Sequence, residues 1–155
     1  MRKVVFLFFA LGMAVLNSCN KTYTGENNQT YIAYQSNGAD FWVRNQRTND
    51  TIKNTGIIVY EDGDVIAMEV NRNDSLMLVY NAPQKYANSK FVVKFSAFGS
   101  EYSATNVFGN HPSLHIVVVD SGLVDTTYMI QCTAVSDEWL EGSYDKGYVM
   151  VRVTE

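Results

Sequence analysis

The feature that most constrains this chain is an apolar alternation of period two, repeated along most of its length. In the stretch KFVVKFSAF over 90–98, Phe91, Val93, Phe95 and Ala97 fall on one side of an extended backbone, and Lys94 and Ser96 fall on the other. GYVMVRVT over 147–154 repeats the pattern, with Val149, Val151 and Val153 on one face and Arg152 and Thr154 opposite. A helix would scatter these side chains around its axis. An antiparallel sheet with one buried face collects them.

The same reading gives strands at about 30–35, 39–45, 55–60, 64–70, 75–81, 90–98, 101–107, 113–119, 126–135 and 147–154, with no stretch of helical period. Turn chemistry separates them. EDGD at 61–64 predicts a tight hairpin, because Asp-Gly supplies the positive φ that twisted hairpins need. NRND at 71–74 predicts another turn, and Pro83 ends the strand before the longer loop at 81–89. SLMLVY and SLHIVVV are apolar on both faces, which predicts central strands or strands beneath a covering loop.

From about residue 55 the order of these segments resembles an immunoglobulin-like sandwich of the bacterial extracellular type, PKD-like or cadherin-like. DSLMLVY would stand as strand B, KFVVKFSAF as C, SLHIVVV as E, TTYMIQCTAV as F and GYVMVRV as G. The match departs from antibody domains at strand F. Ile130, not a tyrosine, lies two residues before Cys132, and strand B holds no cysteine to pair with it. The expected fold is therefore all-β, an antiparallel immunoglobulin-like β-sandwich over residues 31–155, with a lipocalin-like β-barrel as the alternative.

Ahead of this domain stand a basic head, Arg2 and Lys3, and the apolar run VVFLFFALGMAVL over 4–16. That run has the length of a signal-peptide core and is shorter than the roughly 20 residues a membrane-spanning helix needs. Leu16-Asn17-Ser18-Cys19 then resembles the lipobox of bacterial lipoproteins, in the loose form found in Bacteroidota. In that family the cysteine thiol takes a diacylglycerol, the leader is cut before it, and the new amino group is acylated. The resemblance implies a signal peptide over 1–18, lipidation of Cys19, and a tether over 19–30 whose residues after the cysteine, NKTYTGENNQT, are polar and aperiodic. An ordinary signal peptide cut near Ser18 is the alternative. Few acids follow Cys19, which argues against a surface-export signal. The expected address is the outer membrane, facing the periplasm, with the cell surface as alternative.

Cleavage before Cys19 removes 18 of 155 residues and leaves 137, enough for one domain with a sizeable core. Losing Arg2 and Lys3 from 12 basic residues leaves ten against 16 acidic ones, a net charge of −6. An acidic chain without a basic cluster argues against nucleic acid, so contact with the membrane would come through the lipid anchor. No cofactor is implied. Cys132 shares a strand face with Tyr128, Ile130 and Ala134, which reads as a buried apolar thiol.

Few side chains suggest chemistry. His111 and His115 carry a helical metal spacing, but Pro112 and the β-branched run behind it make the segment a loop entering a strand. Asp62 and Asp64 in one turn, and Asp137 and Glu138 in another, could offer oxygens to calcium or serve as solvated turns. Trp139 and Tyr144 could stack on a sugar ring or close the end of the core. Thr51, Ser75 and Thr126 each follow an aspartate and precede an aliphatic residue or Thr, a pattern that resembles the O-glycosylation signal of exported Bacteroidota proteins. An Asp or Ser/Thr capping its own turn is the other reading of each.

These features predict a lipid-anchored binding or structural module of the cell envelope, without catalytic activity, whose partner is a glycan or an envelope protein. Two alternatives stand beside it. One is a glycan-active hydrolase with paired carboxylates from 61–64 and 137–145. The other is a subunit of an appendage or export complex, which a long, apolar, unpaired sheet edge would mark.

Overall fold

A computed structural model describes residues 20–24, 30–34, 40–54, 57–61, 64–65, 67–123, 125–139 and 144–155. Two sheets packed face to face form its core. One runs β11 (Ser113–Val118), β8 (Ser75–Asn81), β3 (Asp40–Asn45), β4 (Thr51–Lys53). The other runs β10 (Ser100–Phe108), β9 (Lys90–Ala97), β12 (Thr127–Ser136), β13 (Asp145–Thr154), β7 (Met68–Asn71). Neighbours pair antiparallel except β13 and β7, which run parallel. The predicted B and E strands, β8 and β11, are adjacent in one sheet. The predicted C, F and G strands, β9, β12 and β13, are consecutive in the other. This is the immunoglobulin-like arrangement. Both sheets are open at their edges, so the fold is a sandwich and not a barrel.

The alternation read from the sequence is what packs the two layers together. Phe91, Val93, Phe95 and Ala97 of β9, Ile130, Cys132 and Ala134 of β12, and Val149, Val151 and Val153 of β13 are all buried in one cluster. Leu76, Leu78 and Tyr80 of β8 and Phe41 and Val43 of β3 meet them from the facing sheet. Phe41 lies tilted on Phe95, with ring centroids 6.0 Å apart, and carries the contact between layers.

Cys132 is free and fully buried. Burial pushes its thiol well above the ordinary range, and the nearby Asp145 carboxylate adds to the effect. Native protein is expected to react slowly with a thiol reagent at this residue and rapidly in denaturant. Fast native labelling of Cys132 would mean that this face of β12 is not packed.

A third sheet runs β1 (Asn20–Thr24), β2 (Thr30–Tyr34), β5 (Ile57–Glu61), β6 (Asp64–Val65). It corrects two expectations. The segment read as a polar tether contains a strand, because Asn20–Thr24 finds an antiparallel partner in Thr30–Tyr34. Its Thr-Tyr-Thr run suits a strand once such a partner exists. The strand expected over 64–70 is two strands in two sheets. β6 closes a hairpin on β5, with Glu61 opposite Asp64, and β7 joins β13. Asp62 and Gly63, the expected turn residues, fall between the paired ends and outside the described residues.

Two turns set the frame of the sandwich. Asn73 holds φ +71° in the β7–β8 turn, a left-handed conformation that asparagine tolerates. Phe98 and Gly99, at φ +51° and +79°, form the two-residue β9–β10 hairpin between Ala97 and Ser100. A phenylalanine is an unusual choice at positive φ. Here its ring packs edge-on against Tyr128, with centroids 5.4 Å apart.

Candidate functional site

The apolar strand SLHIVVV is not central and not covered. β11 is the outermost strand of its sheet, and this is the main departure from the sequence reading. In immunoglobulin-like sandwiches strand E has strand D as its outer neighbour. Here β10 is joined to β11 by Gly109-Asn110-His111-Pro112, and these residues form a turn and no strand. Gly109 is needed there, since a Cβ would lie 2.1 Å from the Tyr86 carbonyl oxygen. The link is too short to supply a strand D, and among the described residues no strand lies beside the outer edge of β11.

The backbone pattern shows which groups face that opening. Val119 donates to the Asp74 carbonyl and accepts from the Asn73 N–H, so both its polar groups point toward the β8 side. The Ser75 carbonyl accepts from Gln46, on the β3 side of β8, so Leu76 turns toward β11, where it is opposite Val117. Both observations place the N–H and C=O groups of Ser113, His115 and Val117 toward β8. Those of Leu114, Ile116 and Val118 therefore point outward, along the free edge. The same three residues carry the exposed aliphatic side chains, at 55%, 55% and 60% exposure.

The neighbouring residues of β8 and β3 on this face are apolar but less exposed, and Val79 is fully buried. Strand register sets Leu114 beside Val79 and Val79 beside Trp42, and in the next row Ile116 beside Met77. The inner face of β11 is anchored. Ser113 and Val117 are buried, and His115 stacks on Tyr102 of β10 with ring centroids 4.0 Å apart.

The other edges of the sandwich are protected, as edges usually are. β4 is three residues long and carries exposed Lys53. β7 carries exposed Glu69. β10 carries exposed Glu101 and a register shift between Ala104 and Val107. β11 has six residues, no Asp, Glu, Lys or Arg, no proline and an unbroken register with β8. The signal that could have identified this edge was the four-residue link before SLHIVVV, together with the absence of those charges.

The residues singled out from the sequence do not converge on one site. Cys19 and Asp62 lie outside the described residues, and Asp64 belongs to β6. Asp137 Oδ1 accepts from the Lys90 backbone N–H at 3.2 Å and from the Ser136 hydroxyl, and the Glu138 N–H donates to that same hydroxyl. These bonds cap the turn locally and tie it to the start of β9. Among the described residues no group of three His, Cys, Asp or Glu side chains could hold a metal ion. Trp139 is half-buried, edge-on to both Tyr86 and Phe91 at 5.6 and 5.5 Å, and so helps to close the end of the core. Tyr144 is exposed, with Lys146 Nζ 5.8 Å from its ring centroid. His111 is exposed in the turn before β11, away from the half-buried His115 stack.

Of the three Asp-Ser/Thr positions, Thr51 and Thr126 are exposed and Ser75 is half-buried. Thr126 lines a polar hollow of about 360 Å³ together with Asp125, Thr127, Arg152, Val153 and Thr154.

Two buried carboxylates are structural. Asp74 accepts from Asn45 Nδ2 at 2.6 Å, from Arg47 at 2.5 and 3.0 Å, and from the Asn71 N–H at 2.9 Å. The Arg47 hydrogen bond, helped by the Asn71 and Asn45 donors, holds its carboxyl down at about 2 against the opposing cost of burial. Asp145 is buried at the start of β13, where it accepts from the Tyr80 hydroxyl at 3.2 Å. Burial pushes its carboxyl up, and the Tyr80 hydrogen bond offsets only part of that.

Compared with known proteins, the sequence matches no family model and no curated protein.

Proposed function

We propose that this chain is a lipid-anchored, non-catalytic module of the cell envelope that engages a protein partner by adding a strand at the β11 edge. The single observation that carries the reading is the coincidence, at Leu114, Ile116 and Val118, of outward backbone groups and exposed aliphatic side chains. In strand addition the backbone bonds supply affinity, and alternate side chains supply selectivity. Both requirements are met by the same residues here. The lipid at Cys19 supplies the membrane contact in this reading, and the outer membrane is its expected site.

Amide hydrogen exchange tests the edge. The amides of Leu114, Ile116 and Val118 are expected to exchange fast in dilute protein. They are expected to become protected on adding an acetylated, amidated SLHIVV peptide or on raising the protein concentration. Fast exchange at all three under every one of these conditions would sink the proposal.

A further inference from the structure

We infer that the strand added at β11 is the β11 of a second copy of this chain, paired antiparallel about a twofold axis at Ile116. This rests on the strand-addition reading above and goes beyond it by naming the partner.

The sequence of the edge is self-complementary in one register. A twofold axis requires two identical edges to run antiparallel. With Ile116 opposite Ile116 of the other copy, Leu114 falls opposite Val118 and Val118 opposite Leu114. Every residue whose backbone faces the opening then meets another of the same kind, and each contributes one donor and one acceptor to a closed ladder. Shifting the register by two residues in either direction leaves one of the three opposite a residue beyond the strand. In one direction that residue is Pro112, which has no N–H to donate. Pro112 therefore marks the end of the ladder.

The side chains agree with this pairing. Opposite residues in neighbouring strands project from the same face. The Leu114, Ile116 and Val118 of both copies would form one aliphatic stripe, flanked by the half-buried Met77 of each. That contact covers the side chains of Leu114, Ile116 and Val118, which are more than half exposed in one copy.

Charge favours a second copy over an acidic or basic partner. Two chains of negative net charge repel, so they must meet where neither carries charge, and β11 holds no acidic or basic residue apart from the stacked His115. At its two ends stand exposed His111 and Asp120. The antiparallel register sets His111 of each copy opposite Ser121, next to Asp120, of the other. Asp120 Oδ1 is occupied by the Gly122 N–H at 2.7 Å, which leaves Oδ2 for that imidazole. The pairing fills the strand-D position that the short Gly109–Pro112 link leaves empty, and it joins two four-stranded sheets into one.

Thiol crosslinking tests the register. The full-length chain carrying Cys19→Ser, solubilised in detergent, provides a background in which the remaining native thiol is the buried Cys132. Single Ile116→Cys protein treated with a short bis-maleimide is expected to give a covalent dimer. Mixed Leu114→Cys and Val118→Cys proteins are expected to crosslink to each other more than either does to itself. Val135→Cys, exposed on the opposite sheet, serves as the control and is expected to give no covalent dimer. Ile116→Lys would set two ammonium groups directly opposite one another. It is expected to weaken dimerisation by roughly tenfold or more, which is about 1.4 kcal/mol, without lowering the melting temperature of the monomer. If Ile116→Cys gives no more dimer than Val135→Cys, the second-copy inference is overturned. Should the SLHIVV peptide still protect the edge amides in that case, strand addition survives with a different partner. If the peptide fails as well, both readings fall.

Discussion

Cys19→Ala is expected to move the protein from the membrane fraction to the soluble fraction nearly completely, with the sandwich still folded. The physical reason is the steep dependence of membrane binding on acyl chains, about 0.8 kcal/mol for each buried methylene. One chain anchors only marginally, whereas two or more anchor stably. The lipobox-like Leu16-Asn17-Ser18-Cys19 predicts a diacylglycerol on the thiol. Removing the thiol removes those chains, and the apolar run over 4–16 is too short to replace them as a spanning helix. Fractionation with mass spectrometry of the N-terminal peptide measures this, and circular dichroism reports the fold. Retention of the variant in the membrane, together with no acyl mass on wild-type Cys19, would refute the lipoprotein assignment.

The second large effect is expected at Asp74. Its carboxylate receives Asn45 Nδ2, the Arg47 guanidinium and the Asn71 N–H, and so ties the end of β3 to the β7–β8 turn. Asp74→Ala leaves the buried Asn45 amide without its acceptor and is expected to cost about 3 kcal/mol in unfolding free energy. Chemical denaturation measures this, and a loss below about 1 kcal/mol would show that the network contributes little. The pH dependence has a definite sign. A carboxyl held at about 2, below its ordinary value of 3.8, stabilises the fold fully at neutral pH, and that contribution fades as pH falls from about 4 toward 2. Asp145 acts in the opposite sense. Its carboxyl is raised by burial, so its contribution is largest in acid and is lost as pH rises through the folded-state value. Replacing Asp74 should therefore flatten the acid limb of the stability profile.

These residues also show how far local reasoning reaches. The NRND turn was legible as a turn from its composition, and Asn73 at positive φ bears that out. The role of Asp74 was not legible, because Asn45 lies 29 residues away and meets it only through the pairing of β3 with β8. The same holds for Trp139. Its sequence neighbours left it free to stack on a sugar or to pack, and the positions of Tyr86 and Phe91 decided for packing. Tyr128, off register for a tyrosine corner, found another use against Phe98.

What the sequence by itself determined is the class of fold and the inward face of its core strands. Period-two alternation admits one backbone, and turns at Gly, Asn, Asp and Pro set where each strand stops. Burial of β9, β12 and β13 follows that pattern residue by residue. What only the tertiary structure decided is the neighbour of each strand. Pairing is a choice among distant segments, and no local pattern encodes it. SLHIVVV and SLMLVY look alike as strings, yet β8 received neighbours on both sides and β11 on one. A strand apolar on both faces is a core strand in the first position and an exposed apolar edge in the second. The difference arises because the four-residue link before β11 supplies no strand, and none of the described residues pairs with its outer edge.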